Sequence, residues 1–315
     1  MRALLFAIAA LCALPVHAQQ TRTITDHSGA EVTIPADPQR IVSLHDWSAT
    51  VMVHELGGNL VGSSGRVDKN GNYYIRSGWE LYGLTFDQVA MASVHGMLDM
   101  ERIAGLDPDL IIGNLGDTQA ARDQLSLIAP TVMFDPMNGR PPMDNYRELA
   151  GWIGRAERFD TLKADYDAHI AELRDALALE APSYVAMTPN PESGDLRILR
   201  NYGAQTAVLE DLGFRRAPIM DEVPAASQEA DFSAEVIGRL DADFIFTTHI
   251  EDRGESLESV MADLDAVAPG YRMFLPAVRQ GRFVSMSRFH VYPTTFAAAG
   301  YVMDHLRELM GAPAP

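Results

Sequence analysis

Asp160 to Glu180, DTLKADYDAHIAELRDALALE, is the stretch that leaves this chain the fewest choices of fold. Leu162, Tyr166, Ile170, Leu173 and Leu177 recur at steps of three and four, which places them on one face of an α-helix. Neither Gly nor Pro interrupts the run, and Pro182 stands just beyond its end. On either side lies a segment of similar length in which short apolar runs alternate with helical patterns. The simplest architecture is α/β, with two Rossmann-like lobes bridged by a single long helix. The helix alone leaves open the alternative of a surface helix on one larger domain.

The chain in order supports two lobes. TRTITDHSGAEVTIP, Thr21 to Pro35, alternates on both sides of a turn at His27-Ser28-Gly29 and reads as a hairpin. Strands are expected at Ile41 to Leu44, Leu60 to Ser63, Asp109 to Gly113 and Thr131 to Phe134. A helix from about Ser48, capped by Asp46 or Ser48, closes at Gly57-Gly58. Gly65 to Leu84 is a polar and aromatic excursion too long for a plain connection, a length that often marks function. Past the helix, strands are expected at Tyr184 to Met187, Leu196 to Leu199, Phe244 to Thr248 and Arg282 to Met286. A terminal helix over Thr294 to Met310 is capped by Thr294 or Thr295. This alternation implies mostly parallel sheets, whose ligands gather beyond the carboxyl ends of strands.

MRALLFAIAALCALPVHA has a positive start at Arg2, an apolar run from Ala3 to Leu14 and small residues before Gln19, the pattern of a secretory signal cleaved after Ala18. Cys12 is the one cysteine, and Leu11 stands where a lipid-anchored chain would carry a small residue, so the protein is expected in the periplasm without a lipid anchor. The domain reading is a signal over 1–18, a first lobe over 19–156, a bridging helix over 157–181 and a second lobe over 182–315. The formal charge is −18, which disfavours nucleic acid and anionic lipid and suits a basic partner surface.

Beyond the expected strand ends stand His45, Trp47, Arg66, Asn114, Arg200, Tyr202, His249, Arg288, His290 and Tyr292, with His95 ending the long excursion. The arginines suit an anionic ligand, and the aromatic residues an apolar cleft wall. Neutral imidazoles suit several transition metals, but no pair has a tight ligand spacing. HExxH, Walker, GxSxG and GxGxxG signatures are absent from the sequence. Ser43 two residues from His45 is the nearest approach to a nucleophile and base, and alternation along a strand works against that pairing.

The opening DHSGAEVTIPADPQRIVSLH, then DMERIAGLDPDLIIGN, FSAEVIGRLDADFIFTTH and GRFVSMSRFHVYPTTFAAAGYVMDHL, together resemble periplasmic binding proteins that serve ABC importers of ferric siderophores, haem and cobalamin. The likeness runs over roughly residues 21 to 312 and is nearest to ferric-hydroxamate binders. It implies a non-catalytic monomer that captures a ferric siderophore between two lobes and hands it to an importer permease, with no permanent cofactor. Haem, cobalamin or another chelate is the alternative ligand, and an exported chelate hydrolase the alternative class. Where hydroxamate binders carry a cleft arginine, a cleft tyrosine and a Trp-Phe-Tyr run, this chain has His95, Asp117 and His290-Val291-Tyr292. The resemblance further implies that His249, His290 and Tyr292 complete the coordination of chelated iron, and that Glu101 and Glu235 dock on permease arginines. If neutral histidines hold the ligand, affinity falls as pH drops through about 6.5.

Overall fold

The computed structural model describes residues 20–178 and 180–311. The expected secretory signal, with Cys12, lies outside the described residues. No helix among those described is long and apolar enough to cross a membrane.

The first lobe opens with the hairpin β1 (Thr21–Thr25) and β2 (Glu31–Pro35). Its main sheet comprises β3 (Ile41–Ser43), β4 (Leu60–Val67), β5 (Tyr73–Tyr74), β6 (Ala90–Val94), β7 (Leu110–Asn114) and β8 (Thr131–Phe134). The order is β5-β4-β3-β7-β8, with β6 also along β4. Every pairing in it is parallel except that of β5 on β4. Leu110, Ile111 and Ile112 are wholly buried, as a parallel strand covered on both faces requires.

The second lobe carries β9 (Ser183–Asn190), β10 (Asp195–Leu199), β11 (Arg215–Arg216), β12 (Glu229–Ser233), β13 (Phe244–His249) and β14 (Phe283–Ser287). Here β9, β11, β13 and β14 are parallel neighbours, whereas β10 pairs antiparallel with both β9 and β12. The expectation of mostly parallel sheets therefore needs correction in this lobe, which is mixed. Asn190 to Asp195 is short enough to turn the chain straight back, and a hairpin connection makes neighbouring strands antiparallel.

One helix, Ala156–Leu177, runs between the two lobes, as the apolar periodicity predicts. Phe159, Tyr166, Ile170 and Leu173 are its buried face. It starts four residues earlier than the periodic run and ends at Ala178 in a left-handed conformation. The terminal helix Phe296–Met310 packs against it, with Phe296 inside a ring of Tyr146, Phe159 and Tyr166. Thr295 caps that helix by accepting from the Ala298 N–H.

The helix after β3 departs from expectation. It begins with a π-helical turn, Asp46–Thr50, before the α-helical Val51–Glu55, and has no side-chain cap. Asp46 and Ser48 are engaged elsewhere, and such wide turns often occur at functional sites.

Candidate binding site

The site is assembled from the carboxyl ends of β3, β4 and β14. Just past β3, the carboxylate of Asp46 is fully buried and accepts from Arg66 Nε at 2.8 Å. A buried carboxylate needs such a partner, and the pair fixes the Arg66 side chain at the end of β4. His45, also buried, has its Nδ1 against Ser48 Oγ and packs edge-on to Trp47 at 4.7 Å. Burial pushes its pKa down to about 4, against the pull of Asp46 and Asp117, so the imidazole is neutral.

Trp47 meets the second lobe. Its ring lies 4.4 Å from that of Tyr292, which lies 4.9 Å from that of Tyr202. Arg288, just past β14, covers this aromatic wall at 5.4 Å from the Tyr292 ring and 5.9 Å from the Tyr202 ring. Burial opposes its charge most strongly, but Tyr202, Tyr292 and Glu229 together hold its pKa above the usual value. Tyr292 donates its hydroxyl to Gln228 at 2.6 Å.

Arg76 approaches from the first lobe. Its guanidinium lies 5.6 Å from the centroid of Phe289, whose ring also faces Tyr74 at 6.4 Å. Burial, reinforced by Arg66 and Arg288, lowers its pKa. Among the described residues the buried Nε atoms of Arg76 and Arg288 meet no hydrogen-bond partner. Two lobes thus bring three guanidiniums together, with the buried carboxylate of Asp46 on Arg66 and the carboxylates of Glu80 and Glu229 acting on Arg76 and Arg288, and with Nε donors unmatched among the described residues. The sequence reading named Arg66 and Arg288. It missed Arg76, although Arg76 sits in the long excursion that its length had already marked.

The remaining expected residues divide. His95 stands with His45 about Asp117: the two Nε2 atoms lie 3.9 and 3.7 Å from its Oδ2. Burial first, then Arg66, lowers the His95 pKa. Arg200 lies apart from the three arginines, donating to the carbonyls of Asp221 and Val223 at 3.0 and 2.8 Å. β10 runs antiparallel, so its carboxyl end does not fall beside those of β13 and β14. Asn114 is a helix cap, accepting from the Asp117 N–H.

His249 bonds Ser285 through Nδ1 at 2.8 Å and has Glu251 at 3.5 Å from Nε2. His290 bonds Ser287 and stacks on Tyr301 at 4.4 Å. Tyr292 instead faces Trp47 and Tyr202, so His290 and Tyr292 serve different neighbours. Among the described residues no group of three or more His, Cys, Asp or Glu could hold a metal ion. Glu101 and Glu235 are both exposed, each in the first turn of a short helix, one per lobe.

A family model described as "Periplasmic binding protein" matches residues 41–288. The probable siderophore-binding lipoprotein YfiY of Bacillus subtilis (strain 168) is 30% identical over 236 residues, 73% of this chain and 70% of its own. The iron(3+)-hydroxamate-binding protein YxeB of the same organism is 28% identical over 263 residues, 79% of this chain and 75% of its own. Among solved structures, Staphylococcus aureus SirA complexed with staphyloferrin B superposes with a TM-score of 0.74 at 21% identity, covering 93% of this chain and 99% of that one. The FhuD protein from S. pseudintermedius gives 0.73 at 19% identity, covering 92% and 98%. With the family model matched over most of its length, the chain belongs to the periplasmic binding protein family.

Proposed function

We propose that this protein captures a ferric siderophore between its lobes and delivers it to an ABC-type importer. The observation that carries the reading is Arg288 over the Tyr202–Tyr292 rings beside Trp47, with Arg76 over Phe289 and Arg66 on Asp46 close by, and with the Nε donors of Arg76 and Arg288 unmet among the described residues. An iron chelate offers what such a surface recognises: anionic oxygens for the guanidiniums and an organic frame for the rings. The relatives named for siderophore and ferric-hydroxamate binding support the same class. The iron is cargo, carried in its chelator.

The protein acts in this reading as an extracytoplasmic monomer without catalysis. Ser43 meets only the backbone of His45, and the hydroxyl that does meet the imidazole, Ser48, is fully buried. Neither offers a nucleophile to a bound substrate. Glu101 and Glu235, exposed on separate lobes, present two carboxylates that would orient the protein on a basic permease surface.

Quenching of tryptophan fluorescence tests the ligand class, because Trp47 is part of the wall. A panel of ferric hydroxamate, ferric catecholate, ferric citrate, haem, cobalamin and free metal ions should give saturable sub-micromolar quenching with a ferric chelate. Response to haem or free metal alone, or to none of the panel, removes the reading.

A further inference from the structure

Beside the arginine cluster the first lobe contains a hollow of ≈360 Å³ with a different character. Leu44, Val94 and Leu98 give it apolar walls, while Ser93, His95 and Asp117 supply polar atoms. Asp117 is its one formally anionic lining residue, and no Lys or Arg lines it, the nearest cations being Arg66 and Arg76, which act on His95 from outside the lining. Among the described residues the Asp117 carboxylate faces only the imidazoles of His45 and His95, at 3.7 and 3.9 Å, beyond hydrogen-bond range. Ser93 is buried, and among the described residues its hydroxyl oxygen meets no partner.

An exposed carboxylate with no bonded protein donor and a neutral imidazole line one recess with apolar walls, beside Ser93, whose buried hydroxyl is unpartnered among the described residues. An alkylammonium has three N–H donors on an aliphatic stem. Its charge would complement Asp117 and its methylenes would lie on Leu44, Val94 and Leu98. A carboxylate arm would meet repulsion here and is better placed at the arginines, so the site has two poles of opposite preference.

We propose that this hollow receives an aliphatic ammonium arm of the bound chelate, held by Asp117, Ser93 and His95. The inference rests on the ferric-chelate reading and adds which pendant group the site selects.

A matched pair of ligands tests it: ferrioxamine B, which ends in a pentylammonium arm, and its N-acetyl derivative, which has lost the charge. Both are titrated by tryptophan quenching at pH 7.5 against the unaltered protein and Asp117→Asn, with ferric citrate run in parallel. The unaltered protein should bind ferrioxamine B at least about tenfold more tightly than the acetylated form, and Asp117→Asn should bring the two within about twofold. Equal affinities in the unaltered protein overturn the inference whatever the variant does, as does a preference that survives in Asp117→Asn. Binding of ferric citrate with no preference for the free amine removes this inference alone. Binding of no ferric chelate removes the ferric-chelate reading and this inference with it.

Discussion

At the scale of single residues, the arginines and histidines of the site make separate claims. Arg76 and Arg288 each keep a buried Nε without a partner, so an anionic chelate should gain a charge-assisted bond from each. Arg76→Gln and Arg288→Gln should each weaken binding of ferric citrate by about 10- to 100-fold, the worth of one such bond. Loss of less than about twofold in both variants would show that the cluster is structural. The histidine claim concerns stability. The His45 pKa is pushed down to about 4 by burial, below its ordinary 6.5. The unfolded chain therefore binds the extra proton first, and stability falls as pH drops from 6.5 towards 4, at no more than about 1.4 kcal/mol per pH unit for one proton. Thermal midpoints measured across that window should fall less steeply in His45→Asn than in the unaltered protein; equal slopes would remove the role. Burial of His95 and His290 lowers their pKa values as well, so any ligand release through these imidazoles is displaced below the 6.5 that an unperturbed histidine suggests. Residue types past strand ends were legible from sequence at Arg66 and Arg288. Burial, which sets the protonation of His45, is a property of neighbours far along the chain and was not.

At the scale of elements, one carboxylate ties the lobes in a way no local pattern announces. Glu55, at the end of the helix Val51–Glu55, accepts from the backbone N–H groups of Phe296 and Ala297 at 2.9 and 2.7 Å. It also accepts from the hydroxyls of Tyr146 at 2.7 Å and Tyr82 at 3.0 Å. It therefore caps the terminal helix from the other lobe and sits at the positive end of that helix. Glu55→Gln would replace one acceptor oxygen by a donor facing other donors, at a cost of about 1–3 kcal/mol. The thermal midpoint should fall by roughly 2–8 °C, and an unchanged midpoint would show the tie to be redundant. The same junction explains Gly203, which opens the helix Gly203–Asp211 at φ +57. A Cβ there would come within 1.9 Å of the Tyr292 carbonyl oxygen, so Gly203→Ala should destabilise the fold and displace the ligand-facing loop together. The Thr295 cap and the apolar stripe of the bridging helix could be read from sequence because their partners lie within a few residues. Glu55 could not, since its partners lie as many as 242 residues away.

At the scale of the whole molecule, the lobes are held by several unlike connections. The helix Ala156–Leu177 crosses between them without a break, the terminal helix packs along it, and Glu55 and the Trp47–Tyr292 contact join them near the site. The uninterrupted helix and the two-lobe plan were legible because a strong 3.6-residue period survives any tertiary context. The mixed topology of the second sheet was not, because strand direction depends on whether a connection turns back or crosses over. An unbroken helix has no loop in which backbone angles can change cheaply, so hinge closure of the kind seen in two-domain proteins joined by flexible segments is blocked. Ligand binding should accordingly act through side chains and loops at the rim rather than by rotation of one lobe on the other. A compact chain of about 300 residues has a radius of gyration near ~19 Å. Solution X-ray scattering with and without a saturating ferric chelate should show that radius falling by less than about 0.5 Å, a shift too small for hinge closure. A contraction of more than about 1 Å would mean that the helix bends or the Glu55 tie opens on binding. Repeating the measurement on Glu55→Gln then separates the two: a larger contraction in the variant assigns the restraint to the carboxylate, and an equal one assigns it to the helix.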